Sequence, residues 1–141
     1  MTTIVCNRTS MAADKRISGG PIFASTKIFK VNGSLIGIAG NMEQALRFVE
    51  WRKTPEQKPQ FADQVGFEAL ELRPDGILVW WGTEMVGVAI EDDYYAIGSG
   101  AALALGAMAM GATPKQAIQV AARWDVATGS EIQVMGLKAG K

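Results

Sequence analysis

Asn32-Gly33 separates two runs of strand-forming residues, Lys27-Ile28-Phe29-Lys30-Val31 and Ser34-Leu35-Ile36-Gly37-Ile38-Ala39. Asn-Gly is the preferred pair for a two-residue type I′ turn, because both central residues need positive φ and the turn's twist matches that of paired strands. Strands joined so tightly are antiparallel neighbours; parallel pairing needs a crossover of a dozen residues or more. Residues 2–7 are also β-rich, and residues 9–15 are placed to pair back onto them. The chain therefore opens with a block of antiparallel strands.

A helix follows. Asn41 is a good N-cap, and Gln44 three residues later is the return half of a capping box. Met42, Ala45, Leu46 and Val49 recur at helical spacing as an apolar stripe that stops near Lys53. Residues 54–64 hold two prolines and mostly polar groups, so they read as a connection. Strands are expected at 67–73 and 77–81 around the turn Pro74-Asp75-Gly76, then at 85–90 and 94–97. Gly98-Ser99-Gly100 leads into a small-residue helix at 101–110 with Gly111 at its end. Thr113-Pro114-Lys115-Gln116 starts another helix, with Thr as N-cap, Pro at N1 and Gln at N3. Its stripe is Ile118, Ala121, Ala122 and Asp125, and Gly129 is expected to end it before a last strand at 132–137. Strands and helices come in blocks, which favours stacked sheets covered by helices over a doubly wound parallel sheet. At 141 residues the chain is one domain, 1–141.

Two absences narrow the chemistry. There is no histidine, so the Ser-His-Asp triad, the Cys-His pair and His-ligated zinc are excluded. There is one cysteine, Cys6, which allows no intrachain disulfide and reads as a small buried strand residue. No metal or cofactor is expected. Fourteen basic and fourteen acidic residues give zero net charge, with no basic stripe for nucleic acid. The most apolar stretch, 101–112, is too short to span a bilayer, and the start lacks the pattern of a signal peptide. The expected location is the cytoplasm, with neither nucleic acid nor membrane as partner.

An enzyme without histidine, working near neutral pH, needs an amine or a carboxylate as base. Lys27 stands by alternation on one face with Phe29 and Val31; it is either a desolvated lysine that loses its charge easily or an edge lysine that snorkels. Asp14 follows Met11-Ala12-Ala13, and Asp125 falls on a helix stripe; a solvated turn carboxylate and a local helix-end contact are their plain readings. Gly98-Ser99-Gly100 lacks both the Lys of a phosphate loop and the third Gly of a dinucleotide fingerprint, so a tight turn is the simpler reading. Thr2 is ordinary at a second position. Removal of Met1 would nevertheless give one residue both a hydroxyl nucleophile and an α-amine that is partly neutral near pH 7.

Six short pieces, in order and covering nearly the whole chain, carry a family likeness. They are Thr2-Thr3-Ile4-Val5, Ala12-Ala13-Asp14-Lys15-Arg16, Thr26-Lys27-Ile28-Phe29-Lys30-Val31, Ile36-Gly37-Ile38-Ala39-Gly40, Tyr95-Ala96-Ile97-Gly98-Ser99-Gly100 and Arg123-Trp124-Asp125-Val126-Ala127-Thr128-Gly129. In these the chain resembles the proteasome β-type subunits and their bacterial two-component protease relatives, within the N-terminal nucleophile hydrolases.

The resemblance implies an α+β fold, a four-layer αββα sandwich, here shortened because residues 54–64 cannot hold the second helix of the first helical pair. It implies Thr2 as nucleophile with its own amine as base. Lys27 would keep that amine neutral with Asp14 as its charge partner, and Gly37 would offer a backbone N–H to the oxyanion. Ser99, Asp125 and Thr128 would support the amine; many relatives have serine where Thr128 stands. Leu35 and Ala39 would line an apolar substrate pocket. The implied function is threonine-type hydrolysis of peptide bonds by a self-compartmentalising homo-oligomer. Its partners would be further copies of itself, peptide or unfolded-protein substrate, and an ATPase unfoldase. Two other functions use the same fold: an inactive assembly scaffold, favoured by a retained Met1, and a small-molecule amidase, favoured by a closed monomer.

Overall fold

The computed structural model describes residues 2–17, 21–61, 66–129 and 131–137. The chain begins with β1 (Thr3–Asn7), β2 (Ser10–Asp14), the two-residue β3 (Arg16–Ile17) and β4 (Phe23–Ala24), β5 (Ile28–Val31) and β6 (Ser34–Gly40). After α1 (Met42–Lys53) come β7 (Phe67–Leu72), β8 (Leu78–Trp81), β9 (Val88–Ile90) and β10 (Tyr94–Gly98). Then follow α2 (Ala101–Ala109), α3 (Pro114–Trp124) and β11 (Ile132–Gly136). The Asn32-Gly33 hairpin forms as its sequence predicts, with φ of 51° and 86° at the two turn residues and Val31 opposite Ser34.

Two antiparallel sheets stack face to face. One has the order β10-β1-β2-β11, the other β5-β6-β7-β8-β9, and β3-β4 is a separate ribbon. Strand alternation assigns the layers. Ile4 and Cys6 of β1 and Met11 and Ala13 of β2 meet Ile28, Leu35, Ala39, Leu70, Leu72 and Leu78 of the second sheet. The intervening Val5 and Ala12 face outward and pack beneath α2 and α3 with Ala104, Met108, Ala117 and Ile118. On the other sheet Ile36 and Ile38 face outward beneath Ala45, Phe48 and Val49 of α1. The order α1, sheet, sheet, α2 with α3 is the expected four-layer αββα sandwich. Residues 54–61 form no helix or strand, so among the described residues α1 alone covers its sheet. No described helix is long and apolar enough to cross a membrane.

Gly37 of β6 faces the opposite sheet at close range. A Cβ there would lie 2.6 Å from Ile4 Cγ2 and 2.7 Å from Met11 Sδ, so only glycine fits.

Four local expectations are corrected. Asn41 caps α1 by accepting from the Gln44 N–H at 2.9 Å, but the Gln44 side chain accepts from the Gly66 N–H instead of returning to the cap. The buried face of α1 carries Phe48 and leaves Leu46 out, because Phe48 packs against Trp51, Phe67 and Trp81, with ring centroids 5.2–6.2 Å away. The strand expected from residue 85 starts only at Val88, since Met85 takes φ 60° with its side chain buried. The capping box of α3 is present in full, but the helix ends at Trp124, well before Gly129.

Candidate active site

The start of β1 lies where the two sheets and the ends of α2 and α3 converge. Thr2 is 2 % exposed, and alternation from Cys6 and Ile4 turns its side chain toward the second sheet. The peptide between Thr2 and Thr3 is held at both of its polar groups. Its carbonyl, that of Thr2, accepts from the Ser99 N–H at 2.8 Å, and its N–H, that of Thr3, donates to Asp14 Oδ1 at 3.0 Å.

Asp14, at the end of β2, is fully buried. Its Oδ1 also accepts from Lys27 Nζ at 3.0 Å, and its Oδ2 accepts from the N–H groups of Gly129 and Arg16. Lys27 is fully buried too, and its Nζ donates to the Arg16 carbonyl at 2.6 Å. Burial pushes the Lys27 ammonium below its ordinary pKa, against the opposing pull of Asp14. A buried charge survives only with partners of this kind.

Of the two readings of Lys27, the desolvated one holds and the snorkelling one does not, but its neighbours are not the expected ones. Phe29 and Val31 pack beneath α1, whereas the Lys27 ammonium lies with Asp14 of the opposite sheet. Strand alternation breaks before Ile28. The successive N–H groups of Lys27 and Ile28 both donate to Gln133 Oε1, at 3.2 and 3.1 Å, instead of pointing to opposite sides.

On the other flank Asp125 Oδ2 accepts from Ser99 Oγ and from Thr128 Oγ1, each at 2.6 Å. Desolvation alone would raise the Asp125 carboxyl; the hydrogen bonds from Ser99, Thr128 and the Ala127 N–H outweigh it and hold the group below the usual carboxylate range. Asp125 is not an apolar-stripe residue. It is the C-cap of α3, partly exposed, because the chain leaves the helix there and turns through residues 126–128.

Thr3 was not singled out by its sequence. Its hydroxyl lies 2.7 Å from Thr128 Oγ1 and accepts from the Gly100 N–H at 3.0 Å. Its only sequence signal is position: next to Thr2, it alternates to the face beneath α2 and α3. Gly98-Ser99-Gly100 is a tight turn, and two of its N–H groups are spent on Thr2 and Thr3, which leaves no phosphate cradle. Gly98 takes φ +97°, and any Cβ there would run into the Thr2 carbonyl. Gly98→Ala is therefore expected to lower stability by about 2 kcal/mol or more, read by chemical denaturation. Cys6 is buried, which pushes its thiol up and leaves it an inert core group.

Three predicted positions fall elsewhere. Leu35 and Ala39 are each 1 % exposed in the core between the sheets, so neither lines an accessible pocket. Gly37 lies mid-strand, opposite Ile28 on one side and Leu70 on the other. The Ile38 N–H faces β5 by donating to the Lys27 carbonyl, so the Gly37 N–H faces β7 and belongs to the ladder. Two residues beyond Ile38, the Gly40 N–H faces the β5 side where β5 has not begun, and Gly40 is exposed.

No family model and no curated protein matches the chain. Solved structures do. Thiobacillus denitrificans BPH is similar with a TM-score of 0.72 and 20% identity over 98% of this chain and 98% of that one. BPH in complex with epoxomicin gives a TM-score of 0.70 and 20% identity over 97% and 98%. Eukaryotic HslV from Trypanosoma brucei gives a TM-score of 0.74 and 20% identity over 96% and 99%. The likeness covers nearly the whole of this chain and of each of those chains, so this chain shares their fold, the four-layer αββα sandwich expected of a proteasome β-type subunit.

Proposed function

We propose that this chain is the peptidase subunit of a self-compartmentalising homo-oligomer, cleaving peptide bonds with Thr2 once Met1 is removed. Met1 lies outside the described residues. The observation that carries the reading is the Thr2–Thr3 peptide, pinned between Ser99 and Asp14 with the buried Lys27 ammonium on the same Asp14 oxygen. A buried cation beside a terminal amine disfavours a second positive charge, so the amine stays neutral and can accept a proton.

In this reading Thr2 Oγ1 attacks the substrate carbonyl carbon and its proton passes to the Thr2 amine. The Gly40 N–H meets the developing oxyanion, worth about 3 kcal/mol of barrier if well aimed. The amine then gives the proton to the leaving nitrogen as the carbon–nitrogen bond breaks, leaving an ester on Thr2. Water hydrolyses that ester, with the same amine as base. Ser99, Asp125 and Thr128 hold the amine's surroundings in place.

Intact mass is the first test. A chain lighter by one methionine that cleaves fluorogenic peptides supports the reading; fully processed protein without any peptidase activity overturns it. Epoxomicin, which the Thiobacillus protein holds in its complex, should block that cleavage.

A threonine nucleophile in an open cleft would degrade any unfolded chain it met, so enclosure by several copies belongs to the same reading. An ATPase unfoldase is the class of partner that would feed enclosed sites. The helix layer offers a surface for self-association: α2 carries no charged residue, and Met110 and Trp124 are 88 % and 67 % exposed. Light scattering after size exclusion should give several times the 15.1 kDa chain mass. A monomer that still cleaves peptides would move the reading to an amidase.

A further inference from the structure

The hydrogen bonds around Asp125 run in one direction, and Thr3 sets it. An ionised Asp125 only accepts, so the hydrogens of Ser99 Oγ and Thr128 Oγ1 are both committed to its Oδ2. Thr128 Oγ1 then meets Thr3 Oγ1 as acceptor, so the shared 2.7 Å bond takes its hydrogen from Thr3. Thr3 Oγ1 can give it up because its own acceptor role is filled by the Gly100 N–H. The chain reads Gly100 N–H to Thr3, Thr3 to Thr128, and Thr128 to Asp125, with Ser99 joining from the other side. Every hydroxyl hydrogen is used internally. Ser99 and Thr128 are left with lone pairs alone.

We propose that Thr3 is a positioning residue that ties the two halves of the site together and sets the proton affinity of the Thr2 amine. Its N–H holds the Asp14 carboxylate that pairs with Lys27, and its hydroxyl holds Thr128 as an acceptor already engaged by one donor. With the Thr2 amine placed beside Thr128, as the proposed function has it, a Thr128 oxygen relieved of that donor is a stronger acceptor toward the amine and favours the protonated form. The charged groups around the start of β1 are Asp14 of β2, Arg16 of β3, Lys27 ahead of β5 and Asp125 after α3, and substitution of Thr3 removes none of them.

The proposal rests on the threonine-hydrolase reading, and the experiment separates the two. Peptide cleavage is measured over pH on the processed wild type and on Thr3→Val and Thr3→Ser, beside their melting temperatures. Thr3→Val should lose about tenfold or more in kcat with KM nearly unchanged. The acid limb of its profile should move up by about half a pH unit or more. Thr3→Ser keeps the hydroxyl and should restore both. Thr3→Ala replaces Thr3→Val if the latter does not fold. A folded hydroxyl-free variant with the wild-type profile overturns the proposal, as does a Thr3→Ser that loses as much as Thr3→Val. So does failure of both hydroxyl-free variants to fold while Thr3→Ser is fully active, because the hydroxyl is then only structural. Processed wild type that cleaves nothing removes the hydrolase reading itself, and this proposal falls with it.

Discussion

Thr2→Ala is expected to reduce peptide cleavage by about 10⁴-fold or more, with the fold intact. The change removes one hydroxyl and one methyl from a residue whose backbone carbonyl is held by the Ser99 N–H and whose neighbour is held by Asp14. None of those bonds involves the Thr2 side chain, so the strand start should stay in place. The α-amine and Lys27 would remain without a nucleophile to serve. Thr2→Ser should keep a measurable part of the rate, since the hydroxyl is retained and only the methyl that restricts its rotamer is gone. Initial rates on a fluorogenic peptide, with circular dichroism to show folding, give the answer. Equal rates for Thr2→Ala and wild type would take Thr2 out of the mechanism and leave the fold as an assembly scaffold.

The second large effect is at Lys27. Lys27→Ala should lower stability by about 3 kcal/mol, and the melting temperature by about 10 °C for a domain of this size. The reason is electrostatic. Lys27 and Asp14 are both fully buried, and removing the ammonium leaves the carboxylate in the interior without its counter-charge. Three backbone N–H groups, from Thr3, Gly129 and Arg16, still donate to Asp14, which keeps the loss from being larger. Cleavage should fall by about a hundredfold or more, because the amine then protonates more readily. Adding Asp14→Asn to Lys27→Met should cost less than the sum of the single changes. Strict additivity would show that the two groups do not act as a pair. Wild-type activity in a destabilised Lys27→Ala would make the lysine structural.

Much of the architecture is legible because it rests on local rules. Asn32-Gly33 can turn only one way, period-two alternation separates Leu35 and Ala39 from Ile36 and Ile38, and Thr113 with Gln116 caps α3 as the pattern requires. The same locality explains the misses. Which face of α1 is buried depends on Phe67 and Trp81 more than a dozen residues away, so Phe48 displaces Leu46.

For the site, the sequence by itself determined which residue types are present: no histidine, a threonine after Met1, a lysine in a β-rich run, an aspartate after Met11-Ala12-Ala13 and another at the end of a helical stripe. It also carried the likeness on which their roles rest. Tertiary structure alone decided how they meet. Asp14 and Lys27 pair across the two sheets because alternation breaks before Ile28, and Gln133 of β11 holds that break. Ladder geometry places the Gly37 N–H in the sheet and leaves that of Gly40 facing outward, a difference that follows from where β5 begins and not from either glycine. Thr3 joins the network because Gly100 and Thr128, 97 and 125 residues away in sequence, close over it. Hydrogen bonds at such separations depend on the packing of whole layers, which no local pattern encodes.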